Sequence, residues 1–265
     1  MEFETISAED LGIIGKFTPE GWAEITPKIE FYIQSDFCYP VKLVANNDII
    51  GIGTAVFFET TSWIAHLIVH EKHRNHGYGT KILEYLCDYC KNHGYKTILL
   101  SATNMGYPLY IKYGFTVQTE YVQYEKTREL DHAINGNIHK IEPHDYENIY
   151  ELDKMITGEN RQRLLIQFVN DGFVYKNKEK VLGFYLPNLG DGPVIALDDE
   201  AGIALLRLRV INKKQSILTV DNITGNTYFQ ENGFKEIKRT KKMIYGNNID
   251  CKNNHIYNRT GGNFG

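Results

Sequence analysis

Cysteine is scarce in this chain, with four in 265 residues, too few for a disulfide framework. Long apolar runs are missing too: none approaches the ~20 residues that a membrane-spanning helix needs. Low-complexity segments are absent. Neither sign of charge dominates, since 29 Lys and Arg face 33 Asp and Glu for a net charge of −4. That balance excludes a nucleic-acid binder held by bulk electrostatics. The opening residues, Met1-Glu2-Phe3-Glu4-Thr5, are acidic where a signal peptide would be basic and then apolar. These absences set the expectation of a soluble cytoplasmic protein with neither nucleic acid nor membrane as a partner.

What is present belongs to a folded chain: 42% hydrophobic, 12% aromatic and 23% charged residues. The length suits one large domain or two ordinary ones. Residues 1–127 carry 10 basic against 15 acidic side chains, and the remainder carries 19 against 18. The halves differ, but no block of one sign is long enough to be a tail. The basic run from Lys235 to Lys242 alternates with other residues and reads as the outer face of a strand.

Ile49 to Phe58, rich in β-branched and aromatic residues, follows the hairpin signal Asn46-Asn47-Asp48. A second strand, Trp63 to Val69, leads through a polar loop into Lys81 to Cys87, whose periodicity is helical; His93-Gly94 should end that helix. The buried strand Thr97 to Ala102 follows. Strand, strand, loop, helix, strand describes an α/β fold in which a hairpin feeds a parallel crossover. The two halves share an ending. Asn104…Tyr110-Ile111-Lys112-Tyr113-Gly114-Phe115 recurs as Asn222…Phe229-Gln230-Glu231-Asn232-Gly233-Phe234, each between predicted strands. The chain therefore reads as a duplication, with domains 1–128 and 129–265 and a polar linker over Thr127 to Ala133.

Chemistry concentrates in Ile68 to Thr80, between strand and helix. Arg74, Asn75, His76, Gly77, Tyr78, Gly79 and Thr80 form a flexible entrance to the helix. Backbone N–H groups there lack helical partners and, with the helix dipole, make an anion site fit for a pyrophosphate. Gly77 and Gly79 allow close approach and Arg74 adds charge. A third glycine for a dinucleotide fingerprint and a Gly-Lys-Ser/Thr for a phosphate-loop ATPase are both missing.

Arg74-x-x-Gly77-x-Gly79 after an apolar strand resembles the acetyl-CoA signature of the GNAT superfamily of N-acetyltransferases. The helix, the strand, Asn104 and Tyr110-x-x-x-Gly114-Phe115 follow in that family's order, so the likeness covers roughly residues 40–125. Residues 129–265 resemble a degenerate second GNAT module. Its phosphate loop is replaced by Leu197-Asp198-Asp199-Glu200-Ala201-Gly202, whose carboxylates would repel a pyrophosphate. Phe229 stands where the first copy has Tyr110. The resemblance implies two GNAT-like domains, each a mixed, mostly antiparallel sheet flanked by helices with a splayed parallel strand pair. It also implies one acetyl-CoA site, in the first copy.

In such an enzyme an amine attacks the thioester of acetyl-CoA directly, without an acyl-enzyme. Backbone N–H groups of Leu67, Ile68 and Val69 would polarise the carbonyl. Tyr110 would protonate the departing thiolate, and His66 is the first candidate for the base, ahead of Glu59. Some GNAT members place a glutamate near the start of the signature strand, but Ser62 and Trp63 stand here. Cys87, Cys90 and His93, at i, i+3 and i+6, drift around a helix, and His66, His70, His73 and His76 cross from strand to loop, so no metal is expected. The acceptor, expected to be a small-molecule amine, would meet Ile13 to Pro40, with Phe17, Trp22, Phe31, Tyr32, Phe37 and Tyr39. An acetyl-CoA-binding module without turnover and a protein N-acetyltransferase are the alternatives, and either a monomer or a homodimer suits the chain.

Overall fold

The computed structural model describes residues 1–130 and 135–265; residues 131–133 of the expected linker lie outside the described residues. In chain order the first half forms β1 (Glu2–Thr5), α1 (Leu11–Ile14), α2 (Thr26–Gln34), β2 (Cys38–Ala45), β3 (Asp48–Phe57), β4 (Thr61–Val69), α3 (Tyr78–Asn92), β5 (Thr97–Ala102), α4 (Tyr107–Tyr113) and β6 (Thr116–Lys126). The second half forms β7 (Ile138–Lys140), α5 (Tyr146–Thr157), α6 (Gln162–Leu165), β8 (Phe173–Asn177), β9 (Lys180–Tyr185), β10 (Val194–Ala196), α7 (Asp199–Asn212), β11 (Gln215–Thr219), α8 (Ile223–Glu231), β12 (Phe234–Gly246) and β13 (Ile256–Asn258). The run β4-α3-β5-α4-β6 is repeated as β10-α7-β11-α8-β12. Gly114 and Gly233 both take a left-handed conformation, at φ 112° and 77°, directly after α4 and close after α8. The shared ending read from the sequence is thus one helix stop used twice.

The halves are joined through the sheet. Eight strands run in the order β1-β2-β3-β4-β5-β12-β6-β11, and five more in the order β13-β10-β9-β8-β7. β12 of the second half lies between β5 and β6, while β6 pairs on its other side with β11. The final strand of each repeated run, β6 or β12, therefore pairs with the strand that precedes the final one in the other run. The larger sheet spans the expected division at 128/129. β12 also departs from the simple outer-face reading of its basic run. Lys235 to Arg239 are exposed, but the strand then enters the core, where Lys242 is 2% exposed.

α3 lies on one face of the larger sheet. Ile82, Leu83, Leu86, Cys87 and Cys90 form its buried stripe, and Gly94, at φ 86°, follows its end. The helix packs unusually close because β3 offers glycines: a Cβ on Gly51 would lie 2.7 Å from Ile82, and one on Gly53 2.7 Å from Leu86. The opposite face is covered by α1, α2 and the second half in one continuous core. Ile14, Tyr32, Trp63 and Leu99 pack there with Ile149, Phe184, Ile195 and Phe264. A buried polar link crosses the same junction, in which Trp63 Nε1 (2.9 Å) and the Thr61 hydroxyl (2.5 Å) both donate to Glu159. No helix among the described residues is long and apolar enough to cross a membrane.

Candidate active site

β4 and β5 pair in parallel over only four residues, from Thr61↔Thr97 to Ile64↔Leu100. Beyond that point β4 runs on to Val69 and β5 to Ala102 without pairing, so the sheet opens into a cleft. A bulge on β4 begins there. Ile52 pairs with Ile68 and Thr54 with Ala65, which leaves Gly53 facing two residues, His66 and Leu67. His66 absorbs the extra residue at φ 45°, a left-handed conformation that histidine tolerates better than most side chains. The bulge aims the following backbone groups at the opening.

The loop after β4 closes onto α3. Arg74 Nε donates to Val69 O (3.3 Å), and the His76 ring reaches Arg74 O (2.6 Å). Asn75 (φ 64°) and Gly77 (φ 78°) are both left-handed, and Gly77 caps the helix. The first bond across that cap is Lys81 N to Gly77 O (3.2 Å). The N–H groups of Tyr78, Gly79 and Thr80 precede it and have no hydrogen-bond partner among the described residues, at the positive end of a 15-residue helix. Gly79 marks where three elements meet: a Cβ there would lie 3.5 Å from Leu109 of α4, 3.8 Å from Val69 and 3.9 Å from Leu67.

Across the cleft, Asn104 is exposed in the turn after β5, and Tyr110 sits on α4 at 8% exposure against Phe115. Burial pushes the Tyr110 phenol up to about 12, with the nearby Cys87 thiol adding to the effect. Its hydroxyl makes no hydrogen bond to another described residue. It is a proton donor with its proton unspent.

His66 faces the other side of the sheet. Burial, with the Lys28 charge adding to it, lowers its pKa to about 4, so the ring is neutral at physiological pH. Its Nδ1 lies 2.9 Å from the Tyr32 hydroxyl, which accepts from Asn263 Nδ2 at 2.6 Å. α2 places Tyr32 there because Ile29 and Tyr32, one turn apart, form its buried face. Either group can donate in the Tyr32–His66 bond, because the hydroxyl that accepts from Asn263 can also give its proton to Nδ1 or accept one from it. The base role expected for His66 needs a ring nitrogen without its proton, which the neutral ring has. Glu59, the other candidate, bonds Asn160 (3.1 Å) and Lys154 (3.6 Å) at the surface, near the start of β4 rather than at the cleft.

The corresponding place in the second half is filled. Asp198 caps α7 by accepting from Ala201 N (2.8 Å), Asp199 accepts from Tyr257 and Thr224, and Glu200 accepts from Tyr175. A Cβ on Gly202 would lie 2.2 Å from the Tyr257 ring. β13 runs beside β10, and Ile217 of β11 bonds Asn258 and Arg259, so no parallel pair opens there. The single parallel pair among the described residues is β4–β5, where the sequence led us to expect one in each half.

Models of two related families match the chain, the acetyltransferase (GNAT) family over residues 12–115 and an acetyltransferase (GNAT) domain over residues 149–258. The chain belongs to the GNAT superfamily, as a tandem of two GNAT domains. Solved structures share the fold of this GNAT tandem. An acetyltransferase-family protein from Pyrococcus horikoshii superposes with a TM-score of 0.83 at 19% identity, covering 100% of this chain and 95% of that one. A GCN5-related N-acetyltransferase from Sphaerobacter thermophilus gives 0.64 at 13% identity, covering 95% and 98%. The glucosamine N-acetyltransferase region of a fungal multidomain β-N-acetylglucosaminidase gives 0.66 at 12%, covering 92% of this chain and 38% of that one. No match was found among curated proteins.

In this GNAT protein Cys87 and Cys90 are buried thiols of the α3 core, pushed up to about 12 and about 11 by burial. No group of three or more potential metal-ligating side chains occurs among the described residues. The Asn263–Tyr32–His66 link escaped the sequence reading, because Asn263 and Tyr32 lie 231 positions apart and nothing in local periodicity marks either.

Proposed function

We propose that the protein transfers an acetyl group from acetyl-CoA to the primary amine of a small molecule by direct attack. One observation carries this reading: the sheet opens beyond Ile64↔Leu100, where the β4 bulge lies and where the N-terminal turn of α3 meets Leu67, Val69 and Leu109 of the helix that carries Tyr110. The residues present suit acetyl-CoA. Arg74, Asn75, His76, Gly77, Tyr78, Gly79 and Thr80 would hold its pyrophosphate, Leu67, Ile68 and Val69 its acetyl-bearing arm, and Asn104 would flank the mouth. Bound there, it supplies an activated thioester.

The chain's own contributions follow from the geometry. Backbone N–H groups of the unpaired β4 segment stabilise negative charge on the carbonyl oxygen. Tyr110, protonated at neutral pH, hydrogen-bonds the departing sulfur. His66, neutral, adds no cation that would repel an ammonium, and it takes the amine's proton directly or through water. The filled entrance of α7 supports one site per chain, so a monomer is catalytically sufficient.

The test is thiol release from acetyl-CoA against an amine library, with calorimetry of acetyl-CoA binding. We expect one site per chain and amine-dependent release with acetylated product. Binding with no turnover of any amine would make the protein a binding module, and two equivalent sites would refute the assignment to the first half.

A further inference from the structure

Three arginines of the second half are buried or nearly so, and they are used differently. Arg161 spends every nitrogen inside the protein, on Asp153, Thr260 and the Phe264 carbonyl. Arg209 does the same, on Gly192 O (3.1 Å), Ser216 Oγ (2.6 Å) and Asp191 O (2.7 Å). Both are structural. Arg259 is not saturated. Its Nε pairs with Asp191 (2.8 Å) and its guanidinium stacks on the Tyr121 ring at 5.1 Å, so it is held from one edge and one face. The remaining edge lies beside the end of β5: Nη1 makes a long contact with Ser101 Oγ (3.4 Å), and Nη2 has no hydrogen-bond partner among the described residues. The side chain is only 12% exposed. Little water reaches it, and a fixed guanidinium edge left unpaired is a recognition element for a planar anion.

Its position decides which anion. Ser101 is the residue after Leu100, the last of β5 to pair with β4. It shares a face with Leu99, which belongs to the core on the α2 side, opposite α3. Gly262 lies against both groups: a Cβ there would be 3.7 Å from Arg259 Nη2 and 3.8 Å from Ser101 Cβ. The next residue, Asn263, reaches Tyr32 and through it His66 on β4. Residues 259–263 thus wall the cleft from the end of β5 to the bulge of β4, on the face away from the α3 phosphate loop.

We infer that Arg259 anchors a carboxylate of the acceptor, so that the substrate is a carboxylate-bearing primary amine such as an amino acid. The inference rests on the acetyltransfer reading above. The forked guanidinium edge receives the carboxylate oxygens, Asp191 and Tyr121 keep it in place, and the amine is directed toward the β4 bulge.

The test compares amino acids, each with its own α-carboxamide, in thiol release at saturating acetyl-CoA, with rates expressed per unprotonated amine. A charged hydrogen-bonded contact predicts that the carboxylate member is favoured by about 10- to 100-fold in kcat/KM, mainly through KM. Arg259→Gln should bring the two members within about threefold while leaving acetyl-CoA affinity unchanged. Arg259→Lys, which keeps the charge and loses the fork, should fall between and serves if the Gln variant does not fold. Equal use of both members by the wild type, or an equal loss on both in the variant, overturns the inference and leaves acetyl transfer standing. Turnover of no member, with release on other amines of the library, overturns the anchor alone; failure to bind acetyl-CoA, or binding with turnover of no amine at all, overturns acetyl transfer and the anchor together.

Discussion

Replacing Tyr110 with Phe separates chemistry from packing at this site. The ring is buried against Phe115 and its hydroxyl bonds no other described residue, so the substitution should change stability by less than about 1 kcal/mol. The raised pKa of about 12 sets the kinetic size. A thiol near 8.5 is the stronger acid by about three and a half units, so complete transfer from the phenol to a free thiolate is uphill by about 5 kcal/mol. Tyr110 therefore works as a strong hydrogen-bond donor while the carbon–sulfur bond is breaking, and its effect belongs at the low end of general acid catalysis, about 10²-fold in kcat. The same shift keeps the phenol protonated, so no alkaline fall in rate from this group is expected below about pH 11. The assay is pre-steady-state thiol release by the Tyr110→Phe variant with the best acceptor, alongside acetyl-CoA affinity. A wild-type chemical rate would refute the donor role. A hundredfold loss of acetyl-CoA affinity with unchanged chemistry would move the hydroxyl from catalysis to binding.

Gly79→Val should leave the circular-dichroism spectrum native, because a Cβ there meets its neighbours at ordinary distances. Its two γ-carbons would fill the gap between Leu109, Val69 and Leu67, and acetyl-CoA affinity should fall at least tenfold by calorimetry; unchanged affinity would show that the cofactor runs elsewhere. An isolated 1–128 fragment lacks β12 and β11, which leaves facing edges of β5 and β6 unpaired. We expect it to be insoluble or unfolded by circular dichroism, and a soluble fragment as active as the full chain would contradict the strand exchange. His66 should make the fold acid-sensitive. Its folded pKa of about 4 lies below the unfolded value near 6.5, so the unfolded chain takes up the proton first. Stability is then full above about pH 6.5 and declines by about 3 kcal/mol as the pH falls to about 4. Urea titrations at pH 7 and 4.5 should show this loss in the wild type and a smaller one in His66→Gln; identical losses would remove His66 as its cause.

The local features of the first half were legible because they are short-range. The hairpin at Asn46-Asn47, the helical period of α3 and the glycines at 77 and 79 each reflect constraints within a few residues. The repeated Gly-Phe ending was legible for the same reason, as each glycine follows its helix with a positive φ. The strand exchange was not legible. β6 and β12 both read as strands, but alternation along a strand states which face is buried and says nothing about its hydrogen-bonded neighbour. Lys242 shows the limit within a single element, since its basic surroundings mark an outer face while β12 crosses into the core at that position. The aromatic stretch from Ile13 to Pro40, expected to meet the acceptor, is split between core and surface. Phe17, Tyr32 and Phe37 are buried, whereas Trp22 is 39% exposed with its ring edge-on to His66 at 6.2 Å.

The second copy has kept the fold and given its cleft to the first. β13 lies beside β10 and against β11, where the first copy has an open splay, and Tyr257 on it packs under Gly202 at the entrance of α7. The chain leaving β13 continues as Arg259 to Asn263, which reach Ser101 and Tyr32. On the proposed function, one segment therefore fills the entrance of α7 and would wall the cleft of the first half. A mutation in that segment acts on both. Tyr257→Phe breaks only the link to Asp199, leaves Arg259 and Asn263 in place, and should cost about 1 kcal/mol of stability with no change in acceptor preference. Asn263→Ala leaves Tyr32, fully buried, without its donor and frees its hydroxyl to turn. Its effect should fall on the acceptor KM, with acetyl-CoA affinity unchanged. The same KM effect from both variants would mean that the wall moves as a unit with β13, and that acceptor binding is set by packing in the second half and not by the hydrogen bonds that reach His66.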